Sequence, residues 1–569
     1  MKFTDVIANF LNKNGIKSAF GLQGGAVVHI FDSLEKAGLN VTYCHHEESV
    51  ALAAVANSKV TEKPGCAVVT SGPGCTNAIT GLLAAWQDSI PCIFISGQVR
   101  SSHMSYGKKI RQLGTQEVPI IDIVKPITKF AKVIDSKENI LEILEEALIE
   151  AVSGRPGPVW LDIPLDFQWE EVELSENEIK KIKKQSIAKE NSEEKISKFK
   201  EMLSSSKRPL FVLGYGLRLS GALDRYKSFL KKKNYSFVTT WTAADFFPSD
   251  ENKNLGIIGM RGQKGANKAI FDADLLICLG THLAIPHTTT LLETFATDSK
   301  KIIVNIDADQ LDNLNINFDL KILSDLNYFI DNIEKIDIPD SPNSIFEEVK
   351  KLNWYEPKEN LRPNPNTFFK LLSSKSPDSS AFIVDGGGTA LYAGFQSVFI
   401  KKNQRIICSS AISAMGTGLA EVIGVHNAQK FKSLFCIIGD GSFLMNIQDL
   451  QTIKSQKIPV IISVINNNGY LAIRHTQSEF LSGRLYGTHP DWSLQMPSIE
   501  KLSRGFDIPF FKINKKEDTI QIVDTLLKFS GPVICEVVTD EDVSELFKQG
   551  YKANNDGTFS PLPLSEMQP

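Results

Sequence analysis

Short apolar runs recur along the chain, each closed by Gly, Pro, Asn or Asp and followed by a stretch of helical spacing. "GCAVVT" (65–70) and "PCIFIS" (91–96) are such runs in the first third, separated by a Gly/Pro turn and an apolar helix. "PLFVLGYG", "ADLLICLGTHL" and "KKIIVNIDADQ" repeat the pattern in the middle, and "AFIVDGGG", "SLFCII" and "IPVIISVI" repeat it in the last third. Continuous apolar strands alternating with helices predict parallel sheets covered by helices. The opening "MKFTDVIANFLNKNGIKSAFG" predicts an amphipathic helix.

The pattern breaks twice. Residues 169–200 are dense in Glu and Lys and poor in large apolar residues, which predicts an exposed linker leading into a helix. Residues 336–366 are rich in Pro and charge and mark a second boundary. The expected fold class is α/β: three domains, each with a central, mostly parallel sheet flanked by helices, over 1–170, 190–336 and 366–545. A tail of turns is expected over 546–569, and the first and third units are similar in size and pattern.

A chain of 569 residues is too long for one core, so composition agrees with several domains. With 42% hydrophobic and 22% charged residues it reads as an ordinary globular protein. The net charge of -4 lacks the basic excess of a nucleic-acid binder, so small molecules are the expected partners. The N-terminus lacks the apolar core of a signal peptide, and no run reaches the roughly 18 apolar residues of a membrane span. Eight cysteines scattered without a CxxC pair predict reduced, buried thiols and a cytoplasmic location.

Chemistry concentrates in "IIGDGSFLMNIQDLQTIKSQKIPVIISVINNNGY" (437–470). One apolar strand ends on Asp440 and, after a returning helix from about Leu444 to Lys454, the next ends on Asn466, Asn467 and Asn468. Both turns emerge at the carboxyl edge of a parallel sheet, where ligands bind. A carboxylate, an amide oxygen and a backbone carbonyl form a hard oxygen set suited to Mg²⁺, with phosphate oxygens completing the octahedron. Gly439 and Gly441 admit a phosphate and Ser442 can donate to it, whereas GDG alone reads more readily as a plain strand-to-helix turn.

GDG followed at this interval by NN resembles the diphosphate-binding signature of thiamine diphosphate (ThDP) enzymes. By that resemblance Asp440, the Asn467 side chain and the Gly469 carbonyl hold Mg²⁺, with Gly439, Gly441, Ser442 and Tyr470 around the diphosphate. Such enzymes also set a carboxylate against the aminopyrimidine ring to share a proton with it. "VTYCHHEESVALAAVANSK" (41–59) resembles the family's "HE" region and makes Glu47 the catalytic glutamate; alone, it would read as an acid at a helix N-terminus.

"GLQGGAVVHIFDSL" (21–34), "TSGPGCTN" (70–77), "DSIPCIFISGQV" (88–99) and "TQEVPIIDIVKPITKF" (115–130) follow the order and spacing of acetolactate (acetohydroxyacid) synthases. Gln23 stands where a proline is usual. The resemblance implies Gly25, Pro73 and Asn77 as cofactor contacts and Gln116 as a catalytic contact to substrate. "SSAISAMGTGLAEVIGV" (409–425) is similar to the stretch supporting the cofactor's bent shape, with Ala414 and Met415 at the wedge between its rings. A Met in such a run is ordinarily core. "VDGGGTALYA" (384–393) matches the diphosphate loop through Gly386, Gly387, Gly388 and Thr389, although Thr389 and Ala390 replace the synthases' Gln and His.

The resemblance covers nearly the whole chain and implies a pyrimidine-binding, a central and a diphosphate-binding domain in that order. It also implies a homodimer or homotetramer with active sites at the subunit interface. The central domain of acetolactate synthases carries FAD. "VLGYGLRLSGA" (212–222) and "GMRGQKGANKAI" (259–270) resemble its glycine loops, with Arg261 for a usual His and His282 for a usual Arg, so FAD is a possible second cofactor. Strand–helix packing explains a lone GxG as readily.

On the acceptor side, "NGYLAIRHTQ" (468–477) places Ala472 and Thr476 where the synthases have a Met and a Trp. Ala472, Ile473, Arg474 and Thr476 are therefore expected to line a roomier pocket, with Arg474, His475 and Gln477 suited to a polyhydroxylated or phosphorylated acceptor. The expected function is a Mg²⁺- and ThDP-dependent decarboxylating carboligase that moves a two-carbon unit from pyruvate or a related 2-keto acid to a carbonyl acceptor. The "GY..IR.TQ" form resembles that of synthase homologues of bacterial surface-sugar pathways, which implies a keto-sugar nucleotide of surface-polysaccharide synthesis as one such acceptor. Acetolactate synthase proper, a 2-keto acid decarboxylase and a non-catalytic homologue are the alternatives.

Overall fold

The computed structural model describes residues 1–182, 193–341, 346–353, 357, 361–543, 546–555 and 558–567. Parts of both expected boundaries, 183–192 and several positions between 342 and 360, lie outside the described residues, as do 544–545. Apolar runs become strands buried on both faces and gather into three six-stranded parallel sheets.

In the first sheet the strands lie in the order Asn40–Tyr43, Ser18–Gly21, Gly65–Val69, Cys92–Gln98, Pro158–Pro164, Phe130–Val133. In the third the order is Arg405–Ile407, Ser380–Val384, Ser433–Gly439, Val460–Asn466, Val533–Val538, Phe510–Ile513. The two orders are the same when each sheet's strands are numbered along the chain, which gives the similar patterning of the first and third units a structural basis. The central sheet is wound differently: Asn254–Ile257, Phe237–Thr239, Pro209–Leu213, Leu275–Leu279, Lys300–Asn305, Leu320–Leu323. Numbered along the chain that is 3-2-1-4-5-6, the doubly wound order whose ligand crevice lies where the first and fourth strands part.

The first and third units pack directly on each other. The helix Glu47–Thr61 is rich in small residues and buried along nearly its whole length, and it crosses the helix Thr417–Asn427. Gly424 brings the backbones so close that a Cβ there would strike the carbonyl of Ala53, and Asn57 Nδ2 donates to the Gly424 carbonyl at 3.1 Å. Overpacking such a contact costs about 1–3 kcal/mol, which is why the crossing uses Ala and Gly instead of larger apolar residues. One continuous core runs through both units.

Ion pairs lock the central unit in place. Arg218 Nη2 pairs at 2.7 Å with Asp245, which is fully buried and also receives Arg405 from the third unit. Burial alone would raise the Asp245 pKa, but the two guanidinium groups hold it below its ordinary value. Arg155 of the first unit meets Asp307 at 3.1 Å.

The tail differs from the expected string of turns. Strands Tyr551–Ala553 and Phe559–Pro561 form an antiparallel ribbon, and Leu546, Phe547 and Met567 make a small core of their own. Gln549 Nε2 donates to Thr289 of the central unit at 3.1 Å. The sparse apolar anchors of this segment have no helical or strand period, so patterning could not reveal that they are buried. All eight cysteines are free and buried, as their scattered placement predicted. Among the described residues no helix is long and apolar enough to cross a membrane.

Candidate functional site

At the carboxyl edge of the third sheet, Ser433–Gly439 and Val460–Asn466 pair in parallel, with Gly439 opposite Ile465. Asp440 therefore stands beside the asparagine turn. It opens the short helix Asp440–Met445; a second helix, Asp449–Ser455, completes the return in place of the one continuous helix expected. Asp440 is 2% exposed, and its carboxylate accepts from Gly441 N at 2.8 Å and Gly469 N at 3.0 Å. Burial pushes its pKa up to about 6 against these donors.

The three asparagines have three different jobs. Asn466 Nδ2 donates to Glu536 at 2.6 Å while its Oδ1 accepts from Asn468 N at 3.0 Å, which ties the turn. Asn468, at φ 62°, reaches Glu541 at 2.7 Å. Asn467 donates Nδ2 to Thr389 Oγ1 at 3.3 Å, and its Oδ1 is buried with no partner. A buried amide oxygen without a donor is costly, of the order of 1–3 kcal/mol, and an approaching cation would satisfy it. Gly469 sits at φ 131° with the Thr488 carbonyl against its Cα, so only glycine fits there.

A cradle closes over this edge. The loop after Ser380–Val384 presses Gly386 against the Ala414 carbonyl and Gly387 against Ser442 and Met415. Gly388 opens outward, with Ala472 Cβ 3.7 Å from where its own Cβ would stand. Tyr470 lays its ring on Gly441, whereas Gly439 faces open space. Sequence reading passed over Asp385. It is fully buried and its carboxylate accepts from Gly387 N at 2.9 Å and Gly418 N at 3.0 Å, joining the two loops of the cradle. An acid ending a strand just before three glycines was the available signal.

At the matching edge of the first sheet, Glu47 begins the helix Glu47–Thr61 and is 9% exposed. It does not cap that helix: His46 Nδ1 does, accepting from Glu48 N at 3.2 Å. Glu47 Oε2 instead accepts from Asn77 Nδ2 at 3.0 Å. Asn77 ends the helix Pro73–Asn77, which starts after Gly72; Gln116, at φ 63°, packs its backbone on Gly72. Gly25 is exposed in the neighbouring loop, where Gly24 rests on Thr70 and Thr70 in turn touches Gly74. The structure thus gathers Glu47, Pro73, Asn77, Gln116 and Gly25 at one edge. Ser49 Oγ, 3.4 Å from Asn446 Oδ1, links the two edges, but among the described residues no hydrogen bond or ion pair joins Glu47 to Asp440 or Asn467.

The helix Leu471–Phe480 divides the expected acceptor residues. Ile473 is 52% exposed, Thr476 is exposed and Ala472 is half-buried beside the cradle. Arg474, three positions after buried Leu471, lies on the inner face and is 2% exposed. Its guanidinium donates to the carbonyls of Asn467 at 2.7 Å, Asn468 at 3.0 Å and Glu541 at 2.7 Å, so the expectation that it faces an acceptor is corrected. Other basic residues lie on this side. His475 is half-buried, and burial lowers its pKa together with the positive charges of Lys548, Arg261 and Arg474, against the opposing charge of Asp542. Arg261 stacks over Tyr392 at 4.8 Å.

A cavity of about 620 Å³ opens where the first and fourth strands of the central sheet part, between the central unit and its neighbours, lined by Trp86 of the first unit, by Tyr215, Trp241, His282, His287 and Asp307 of the central unit, and by others. His287 is half-buried with its Nδ1 out of solvent and unpartnered among the described residues, and burial pushes its pKa down to about 3. Gly214 and Gly216 pack against the backbone of Gly280, so close packing accounts for that GxG.

Three family descriptions match the chain in order: thiamine pyrophosphate enzyme, N-terminal TPP binding domain, over residues 1–123; central domain, over 196–333; and C-terminal TPP binding domain, over 386–537. The acetolactate synthase large subunit of Cyanidium caldarium is 31% identical over 96% of this chain and 95% of its own length. That of Pyropia yezoensis is 30% identical over 95% and 92%. The chain belongs to the ThDP-dependent enzymes of the acetolactate synthase large-subunit type. Isozyme 2 of Escherichia coli is 28% identical over 94% of this chain and 95% of its own length.

A ThDP enzyme of this type is a carboligase, and the first and third units match its two TPP binding domains. Mg²⁺ is typical of the family, and the donor set fits it: a buried carboxylate, an unpartnered amide oxygen and a backbone turn beside an open glycine. Among the described residues no group of three His, Cys, Asp or Glu offers another metal site. ThDP with Mg²⁺ is expected to raise the melting temperature by several degrees, because a ligand at 100 times its Kd adds about 2.7 kcal/mol. Scanning calorimetry checks this; EDTA should reverse the shift, and an unmoved transition would contradict the site.

Proposed function

We propose that the protein is a decarboxylating carboligase that transfers a two-carbon unit from pyruvate or a close 2-keto acid to a carbonyl acceptor larger than a second 2-keto acid. A keto-sugar nucleotide is the acceptor this reading favours. The observation that carries it is the outer face of the helix Leu471–Phe480. Small Ala472 and exposed Thr476 lie beside the cradle, and the cations Arg261 and Lys548 stand near the neutral His475 on the same side, with Asp542 as the opposing charge. Room plus positive charge suits a phosphorylated, polyhydroxylated acceptor.

When bound, ThDP supplies a thiazolium carbon that takes the donor's carbonyl carbon and stores the electrons released with CO₂. Asp440 and Asn467 would hold the metal, with the Gly469 carbonyl as the third protein ligand. Gly386, Gly387 and Ser442 would approach the diphosphate, and Met415 would support the ring system from below. Glu47 would hold the proton shared with the pyrimidine ring on Oε1, since Asn77 engages Oε2 and Gly74 leaves space beside Oε1. Gln116 would face the donor from the Gly72 turn. The Glu47 set and the Asp440 set are read as halves contributed by two subunits, which makes the active enzyme at least a homodimer.

Wild-type protein given ¹³C-pyruvate and a keto-sugar nucleotide is expected to release CO₂ and form a two-carbon adduct by mass spectrometry, while Glu47→Gln forms neither. The full-length likeness to acetolactate synthases supports the rival reading; rapid formation of acetolactate from pyruvate alone, untouched by the sugar, would favour it.

We also read the central cavity as the FAD site. Its place at the strand switch point fits, as do its aromatic walls, the unpartnered His287 Nδ1 and Asp307 at a strand end. The phosphate grip of a dinucleotide fingerprint is lacking, because Leu219 stands at the third glycine's place and the helix Gly216–Leu219 is a single turn. Purified enzyme is expected to absorb between about 370 and 450 nm if flavin is held there. A colourless protein that adding FAD leaves unchanged in melting temperature would overturn the assignment.

A further inference from the structure

Arg474 meets the metal turn from the side opposite Asp440. The peptide unit between Asn468 and Gly469 is held at both ends: its carbonyl oxygen accepts from Arg474 Nη1 at 3.0 Å, and its N–H donates to Asp440 Oδ2 at 3.0 Å. C=O and N–H of a trans peptide point in opposite directions, so a cation on one and an anion on the other fix the plane of the unit. Arg474 Nη2 fixes the preceding peptide in the same way through the Asn467 carbonyl at 2.7 Å. The same guanidinium reaches the Glu541 carbonyl at 2.7 Å and, at 3.5 Å, that of Thr488, anchoring the turn to two flanking segments.

We infer that Arg474 is a positioning residue for metal binding: by orienting two successive peptides it aims the Asn467 amide oxygen and the Gly469 carbonyl at the cation held by Asp440. This rests on the reading of Asp440, Asn467 and Gly469 as the metal set. Two features support it beyond simple filling of space. Asn468 holds φ 62° and Gly469 φ 131°, conformations open to Asn and Gly but to few other residues, so the turn follows one defined course and the guanidinium bears on it directly. The clamp also serves several buried carbonyls at once, which the planar fork of arginine can do and a lysine ammonium does only in part. Thr389 completes the arrangement by taking Asn467 Nδ2, which leaves Oδ1 as the free atom.

The test uses full-length wild-type protein, Arg474→Met and Arg474→Lys, titrating Mg²⁺ with ThDP present and following tryptophan fluorescence. Far-ultraviolet circular dichroism and the melting of each metal-free protein control for folding. Half-saturating Mg²⁺ is expected to rise by about tenfold or more in Arg474→Met, as for other groups that orient metal ligands. Arg474→Lys should fall between, and turnover at saturating Mg²⁺ should recover in both. A folded Arg474→Met with wild-type Mg²⁺ affinity would overturn the inference. So would failure of both variants to fold, which would assign the arginine to stability alone. If wild type itself shows no Mg²⁺-dependent response to ThDP, the Asp440–Asn467 reading fails instead.

Discussion

The structure depends on a carboxylate kept out of water without an ion-pair partner. Asp440 is buried at the end of its strand with two backbone donors, and burial pulls its pKa upward. Everything around it stops the chain from relieving that strain. Asn466 ties the neighbouring turn, Thr389 turns the Asn467 amide, and Arg474 holds the peptides from behind. The result is a concentration of buried oxygen atoms that fits the Mg²⁺ typical of the family.

Two sheets of the same winding divide the work. The third matches the C-terminal TPP binding domain and the first, which carries Glu47, the N-terminal one, and within one chain the two pack through small-residue helices. The central sheet, wound in a different order, contributes to a cavity shared with the other two units, and its Arg261 packs on Tyr392 of the third. Carbon–carbon chemistry belongs to the cofactor. The chain's share is to orient it and to choose what reaches it.

Much of this was legible in the sequence, for identifiable reasons. Parallel strands buried on both faces write themselves as unbroken apolar runs, so the three units were legible from patterning, whereas Glu47, Asp440 and Asn467 were singled out by the resemblance of the turns that carry them. Asp385 escaped because its role is to join two loops, and no periodicity marks a contact between segments distant in the chain. Arg474 was misplaced because adjacent residues of a helix face different ways: Ile473 and Thr476 point outward, while Arg474, in step with Leu471, points inward. Charge alone suggested a ligand, whereas burial assigned it to the backbone. The tail was read as turns because its few apolar anchors find their partners on another unit.

The central claim is that the Glu47 half and the Asp440 half come from different copies of the chain to make one site. Co-expression of Glu47→Gln chains with Asp440→Asn chains, followed by assay of pyruvate decarboxylation, tests it most directly. Each variant alone should be inactive. Mixed at equal amounts they should regain about a quarter of wild-type activity, because half of the dimers are mixed and each of those keeps one intact site of two. A mixture as inactive as its parents would contradict the account.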